Sequence, residues 1–205
     1  MTDTPSNPGS RDELISRLTL VEEMIAQGRR STARYGWFFL MWGVIYYAAI
    51  AWCLYLPHPD FAWPVCILIG VATIFIVKAR RAKQEGCRKN AQYRGVEAAW
   101  QMMGLAICLF VFTAILTHHA NSPAYFAAIL FFIGLAHATS AAILRWRAQA
   151  LTAAIWWIGG IASLIFSRPG QMLAIFLGAT FFGMILFGVY AMVLDSRRAA
   201  GQLHA

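Results

Sequence analysis

Six stretches of this chain are long, apolar and uncharged, and they decide what it can fold into. They are Gly36–Leu56, Phe61–Val77, Ala98–Thr117, Pro123–Leu144, Ala148–Phe166 and Gln171–Leu194, and none contains Asp, Glu, Lys or Arg. Their lengths are 21, 17, 20, 22, 19 and 24 residues. A helix rises about 1.5 Å per residue, so about 20 residues cross a hydrocarbon layer about 30 Å thick. Membrane-crossing strands alternate in polarity over about ten residues, and these runs do not. The expectation is an all-α polytopic membrane protein with a six-helix transmembrane domain over 36–194. Composition agrees, since only 13% of the residues are charged, about half the share in a soluble globular chain. Lipid is the natural solvent for the apolar excess.

With six spans in place, the seventeen Lys and Arg residues sort by side. One side takes the N-terminus, the connections after the second and fourth spans, and the C-terminus. It collects Arg11, Arg17, Arg29, Arg30, Arg34, Arg145, Arg147, Arg197 and Arg198, together with Lys78, Arg80, Arg81, Lys83, Arg88, Lys89 and Arg94. The three short loops of the other side carry Arg168 alone. Cytoplasmic loops retain basic residues and translocated ones exclude them. Both termini, including the tail 195–205, are therefore expected in the cytoplasm of a bacterium, with the chain in its inner membrane. The first thirty-five residues lack a signal-peptide core, so insertion is expected to begin at the first span. The run Lys78–Arg94 reads as a topological anchor against anionic lipid headgroups. Nucleic-acid binding would call for interleaved aromatics to stack on bases, and the run holds only Tyr93.

The first ten residues are polar, with two prolines and a glycine, and read as disordered. Ser10 and Glu13 match a capping box. An amphipathic cytoplasmic helix over 11–30 follows, with Leu14, Leu18, Val21 and Ile25 on one apolar stripe. That stripe could lie in the membrane interface, cover the protein's own loops or meet a partner helix. The opposite face mixes charges, with Asp12, Arg17, Glu22 and Glu23. A membrane-lying helix has a Lys/Arg-rich face, so the protein itself or a partner is the favoured contact.

Helices gain no hydrophobic reward for associating in lipid, so small residues mark where backbones approach. Gly134, Ala138 and Ala142 fall at i, i+4 and i+8, Gly159 and Ser163 at i, i+4, and Gly178 and Gly183 lie in the last span. Spans four to six are expected to pack tightest. Short outer loops predict three antiparallel hairpins. The segments "WG", "WQMMG" and "WWIGG" at their starts raise a threefold repeat, against the plain frequency of Trp and Gly in membrane helices. Tyr35, Trp37, Trp100 and Trp146 are expected at the inner interface, and Tyr55, Trp63 and Tyr125 at the outer one.

Chemistry is sparse. No span carries an acidic or basic residue for handling charge at the bilayer centre. His137, with Thr139 and Ser140 beside it, comes nearest, and a lone His is more often bonded to a neighbouring helix than functional. His58, Asp60, His118 and His119 share the outer side and could ligate zinc or copper, but adjacent histidines point apart and the spacing is not diagnostic. The four cysteines form no CxxC or CxxCH pair. GxSxG, HExxH and phosphate-loop motifs are missing. No cofactor is indicated.

In the placement of its spans and loops the chain resembles a family of uncharacterised six-helix bacterial inner-membrane proteins of about 200 residues. The likeness rests on "LVEEMIAQGRRS" leading into "GWFFLMWGVIYYAAIAW", a proline-aromatic outer loop, "AILRWRAQALTAAIWWIGGIASLIF" and a closing Gly-rich helix ending in "SRR". The resemblance implies an integral membrane protein of unknown activity with a cytoplasmic regulatory partner. The reading is a non-enzymatic scaffold, sensor or regulator. The alternative is a small transporter or channel for a neutral, apolar or lipid solute. The sequence leaves homo-oligomer formation, substrate and partner identity open.

Overall fold

The computed structural model describes residues 8–34, 36–82, 91–119 and 122–202, and every element among them is helical. In chain order these are α1 (Pro8–Arg34), α2 (Gly36–Tyr55), a 3-10 turn (Pro59–Phe61), α3 (Ala62–Ala82), α4 (Ala91–Leu116), α5 (Pro123–Leu144), α6 (Arg147–Ile165), α7 (Pro169–Thr180), a π-helical segment (Phe181–Leu186) and α8 (Phe187–Gln202). Five helical stretches are long and apolar enough to cross a membrane: Gly36–Tyr55, Arg94–Leu116, Pro123–Leu144, Arg147–Ile165 and Pro169–Arg197. The apolar part of α3, Ala62–Val77, is shorter. Its 16 residues cover about 24 Å at 1.5 Å each, and α3 continues through the first basic residues of the anchor run. Lys, Arg, Gln and Glu are good helix formers, which is why α3 and α4 outrun their apolar stretches.

Proline opens three helices. Pro8 starts α1, and Pro123 and Pro169 occupy the first turns of α5 and α7, where an absent N–H leaves nothing unsatisfied. Ser122 caps α5 by accepting from the Tyr125 N–H at 3.2 Å. The start of α1 differs from expectation. Helix begins at Pro8, three residues inside the segment read as disordered, so Ser10 lies within α1 and is not its cap. Glu13 instead pairs with Arg17 at 2.6 Å, one turn on. Residues 1–7 lie outside the described part.

The most extensive helix contact joins α5 to α6 across the two-residue connection Arg145–Trp146. Around this pair, α4 packs along α5, and the last span (α7, the π segment and α8) lies against α6 and α2. On the far side, α3 packs on α2 and the turn leading into it. The end of α1 rests on α8, α4 and α5.

Glycines set these approaches in two ways. Some are sockets for rings. A Cβ at Gly134 would collide with Trp157, one at Gly183 with Trp156, and one at Gly160 would press on Phe131 at 3.1 Å. Gly36 and Gly188 instead let two backbones meet. A Cβ at Gly36 would stand 2.7 Å from the Gly188 carbonyl oxygen, so α2 and α8 cross where neither carries a side chain. Gly159 meets Ala179, and Ser163 is fully buried, donating to its own helix at the Gly159 carbonyl. Gly178 differs from expectation: nothing stands within 4 Å of a Cβ there, so it packs against no neighbour.

Candidate functional site

His137 stands near the centre of the largest buried cluster, on the inward face of α5 and fully buried. Three rings from three other helices enclose it. Phe39 of α2 stacks on the imidazole at 5.4 Å between centroids. Trp100 of α4 meets it edge-on at 4.9 Å, and Phe187 of α8 meets it edge-on at 5.5 Å. Trp146, between α5 and α6, closes over Phe187 at 5.6 Å. One turn beyond His137, Ser140 Oγ accepts from Trp100 Nε1 at 3.0 Å and donates to the Ala136 carbonyl at 2.8 Å. Ser140 thereby fixes the indole against the imidazole and ties α4 to α5.

Neither ring nitrogen of His137 has a hydrogen-bond partner. A neutral imidazole carries one donor and one acceptor, so the box holds an unused polar function. Among the described residues, other buried polar groups that lack partners include the Gln149 amide and Trp156 Nε1, both on α6, and Thr180 Oγ1 at the end of α7. Thr180 immediately precedes the π-helical segment, and Gly183 within that segment receives the Trp156 ring. Every ring contact of His137 is aromatic. The cluster therefore offers a hydrogen-bonding imidazole in an aromatic shell, with the buried Ser140 hydroxyl one turn away.

The expected trio of polar residues separates. Ser140 faces the box with His137, whereas Thr139 donates to the Leu135 carbonyl of its own turn on the exposed side. Three of the aromatics expected in interfacial belts also pack on the core cluster. Trp100 joins the box, Trp146 covers Phe187, and Trp63 packs on Tyr46 and Phe176 at 5.9 and 6.5 Å. Ala138 and Ala142 line an open groove rather than a helix contact.

At the end of the bundle, α1 divides into two parts. Ile25 is only 7% exposed, and Arg29 Nε donates to the Leu144 carbonyl at 2.8 Å. That bond satisfies one of the orphan carbonyls at the end of α5. Earlier on the same stripe, Leu14, Leu18 and Val21 are 58%, 65% and 48% exposed, with Ile15 beside them at 53%. Of the four expected partner-facing residues, the structure gives one to the bundle and leaves three open.

The loops after α2 and α4 bring no metal-binding group together among the described residues. His58, His118 and His119 are exposed, and His119 Nδ1 lies 2.6 Å from the Thr117 carbonyl. Among the described residues no three His, Cys, Asp or Glu side chains come together. The side chains of Asp60, Lys78 and Arg81, and the whole of Lys83, Arg88 and Lys89, lie outside the described residues. Arg80 and Arg94 are exposed at the flanks of the basic run. The residues that sequence reasoning missed, Phe39, Phe187, Gln149 and Thr180, sit in apolar stretches. Only Gln149, an amide at the head of an apolar run, carried a local signal.

Comparison with known proteins returns nothing: no protein-family model, curated protein or solved structure matches this chain.

Proposed function

We propose that the chain is a membrane-embedded interaction protein, a scaffold, sensor or regulator that works through a cytoplasmic protein partner rather than by catalysis. It sits in the bacterial inner membrane with six spans and both termini inside, like the uncharacterised six-helix proteins its sequence resembles. The reading is carried by α1, whose apolar stripe is held by the bundle at Ile25 and open to solvent at Leu14, Leu18 and Val21. A helix anchored at one end by Arg29 and apolar at the free end offers a groove-binding protein a pre-ordered face. The same anchor joins that face to α5, which carries His137.

The ring packing around His137 supports this reading over the transport alternative. Rings occupy the space around His137, and the open groove among the described residues lies on the outside of the α5–α6 pair.

The test uses the full chain, affinity-purified from membranes of its host with Leu14→Asp/Leu18→Asp/Val21→Asp beside the wild type. A partner that co-purifies with the wild type and is lost from the variant at unchanged membrane yield is the expected result. Equal recovery with both proteins overturns the reading.

A further inference from the structure

We infer that the cleft where α5 turns into α6 binds one anionic phospholipid, with Arg145 and Arg147 on its headgroup and an acyl chain along an alanine floor. The cleft has a volume of about 430 Å³ and opens to the outside of the bundle. Ala138 and Ala142 of α5 and Ala150 and Ala153 of α6 line it, and Trp157 is the lining residue farthest along α6 from Arg147. Alanines at these spacings recur on one face of each helix, so the groove follows the helix axes. From Arg147 to Trp157 is ten residues, about 15 Å of helix and about half of a 30 Å hydrocarbon layer. The groove is therefore as deep as one leaflet, the reach of a lipid tail.

Its mouth is basic. Arg145 and Arg147 are exposed, and neither pairs with a carboxylate among the described residues. Arg145 also holds an unusual backbone. It caps α5 in the left-handed region, at φ 47° and ψ 43°, while its N–H donates to the Ala141 carbonyl. Glycine takes that conformation at least cost. An arginine there places a guanidinium at the groove's mouth in spite of the backbone. Helix α6 then starts at Arg147 without a side-chain cap, so its positive end faces the same region. Basic pockets between spans on the cytoplasmic side suit anionic headgroups, and guanidinium groups match phosphate geometry.

The experiment is native mass spectrometry of the detergent-solubilised full chain, titrated with phosphatidylglycerol or with phosphatidylcholine of the same acyl chains. The wild type is expected to retain phosphatidylglycerol on the order of tenfold better. Arg145→Gln/Arg147→Gln is expected to erase that preference. Ala142→Leu/Ala150→Leu, which fills the floor without altering charge, is expected to weaken retention of both lipids. A preference that survives the double arginine change overturns the site. So does an equal loss in Arg94→Gln/Arg197→Gln, which would mean diffuse surface charge. Displacement of the lipid by soluble glycerol phosphate would show a phosphate site without a lipid tail. Unchanged retention in the alanine variant would remove the acyl groove.

Discussion

Helices α4 and α5 are neighbours of similar length and hydropathy, yet they solve different problems. In the most apolar part of α5, 44% of the residues are buried inside the bundle, against 6% for α4. Both contain glycine. Gly134 of α5 is filled by Trp157, while Gly104 of α4 has nothing within 4 Å of a would-be Cβ. Hydrophobicity does not distinguish the two in lipid, because lipid tails are as apolar as any side chain. Shape does. α5 is held by sockets and rings, and α4 shows Met102, Leu105, Leu109, Phe112 and Ile115 outward. A glycine in a span marks packing only when a neighbouring helix supplies the ring or backbone that fills it.

The sharpest way to break that contrast is to fill a socket whose occupant cannot move. Trp156 is fully buried and lies against Gly183. Gly183→Leu should destabilise the protein by about 3 kcal/mol, the upper end for an overpacked core. Gly104→Leu, whose Cβ meets nothing within 4 Å, should not destabilise and should gain at most about 1 kcal/mol of helix propensity. Thermal unfolding in one detergent compares them. Equal effects would mean that sockets do not separate the core from the flank.

A smaller effect is expected where the flank meets the core. Trp100 joins α4 to α2 and α5 through Phe38, Phe39, His137 and Ser140. Trp100→Ala removes those contacts and strips Ser140 of its donor. The expected loss is about 2 kcal/mol, below the range for a fully buried Trp because this one is only partly buried. Thiol labelling of a Met103→Cys reporter on α4 should speed up in the same variant, while labelling of Cys66, buried between α2 and α3, should not. Unchanged labelling at both places would show that α4 is held elsewhere.

The apolar runs made the helices legible, because length and charge exclusion are local properties of the sequence. The bounds of α5 were readable to the residue, since Ser122-Pro123 starts it and Arg145 ends it. Packing was legible only where a small residue also had a partner. Gly134 and Gly178 look alike as letters, and only one holds a ring. The Trp-Gly segments that hinted at a repeat take unrelated roles: Trp42 lies against Gly70, Trp100 joins the His137 box while Gly104 stays open, and Trp156 fills Gly183. His137 was visible as a lone polar residue, but its enclosure was not. Phe39, Trp100 and Phe187 come from three separate helices, and no spacing along the chain brings them together. The stripe on α1 was legible as a stripe. Its division into held and open parts depends on Arg29 reaching Leu144, a contact between distant parts of the chain.

The smallest expected effect concerns the box itself. His137→Phe keeps a ring of similar size among Phe39, Trp100 and Phe187 and removes two buried nitrogens that have no partner. Replacing an unsatisfied buried polar group by an apolar one of similar shape is neutral or stabilising. The variant should therefore unfold within about 1 kcal/mol of the wild type, shifted toward greater stability. His137→Ala, which leaves a hole, should lose about 2 kcal/mol or more. The two together separate packing from hydrogen bonding. If His137→Phe instead loses as much as His137→Ala, the imidazole bonds to something in the membrane-embedded protein. The box would then be a binding position rather than the point where the flank is tied to the core.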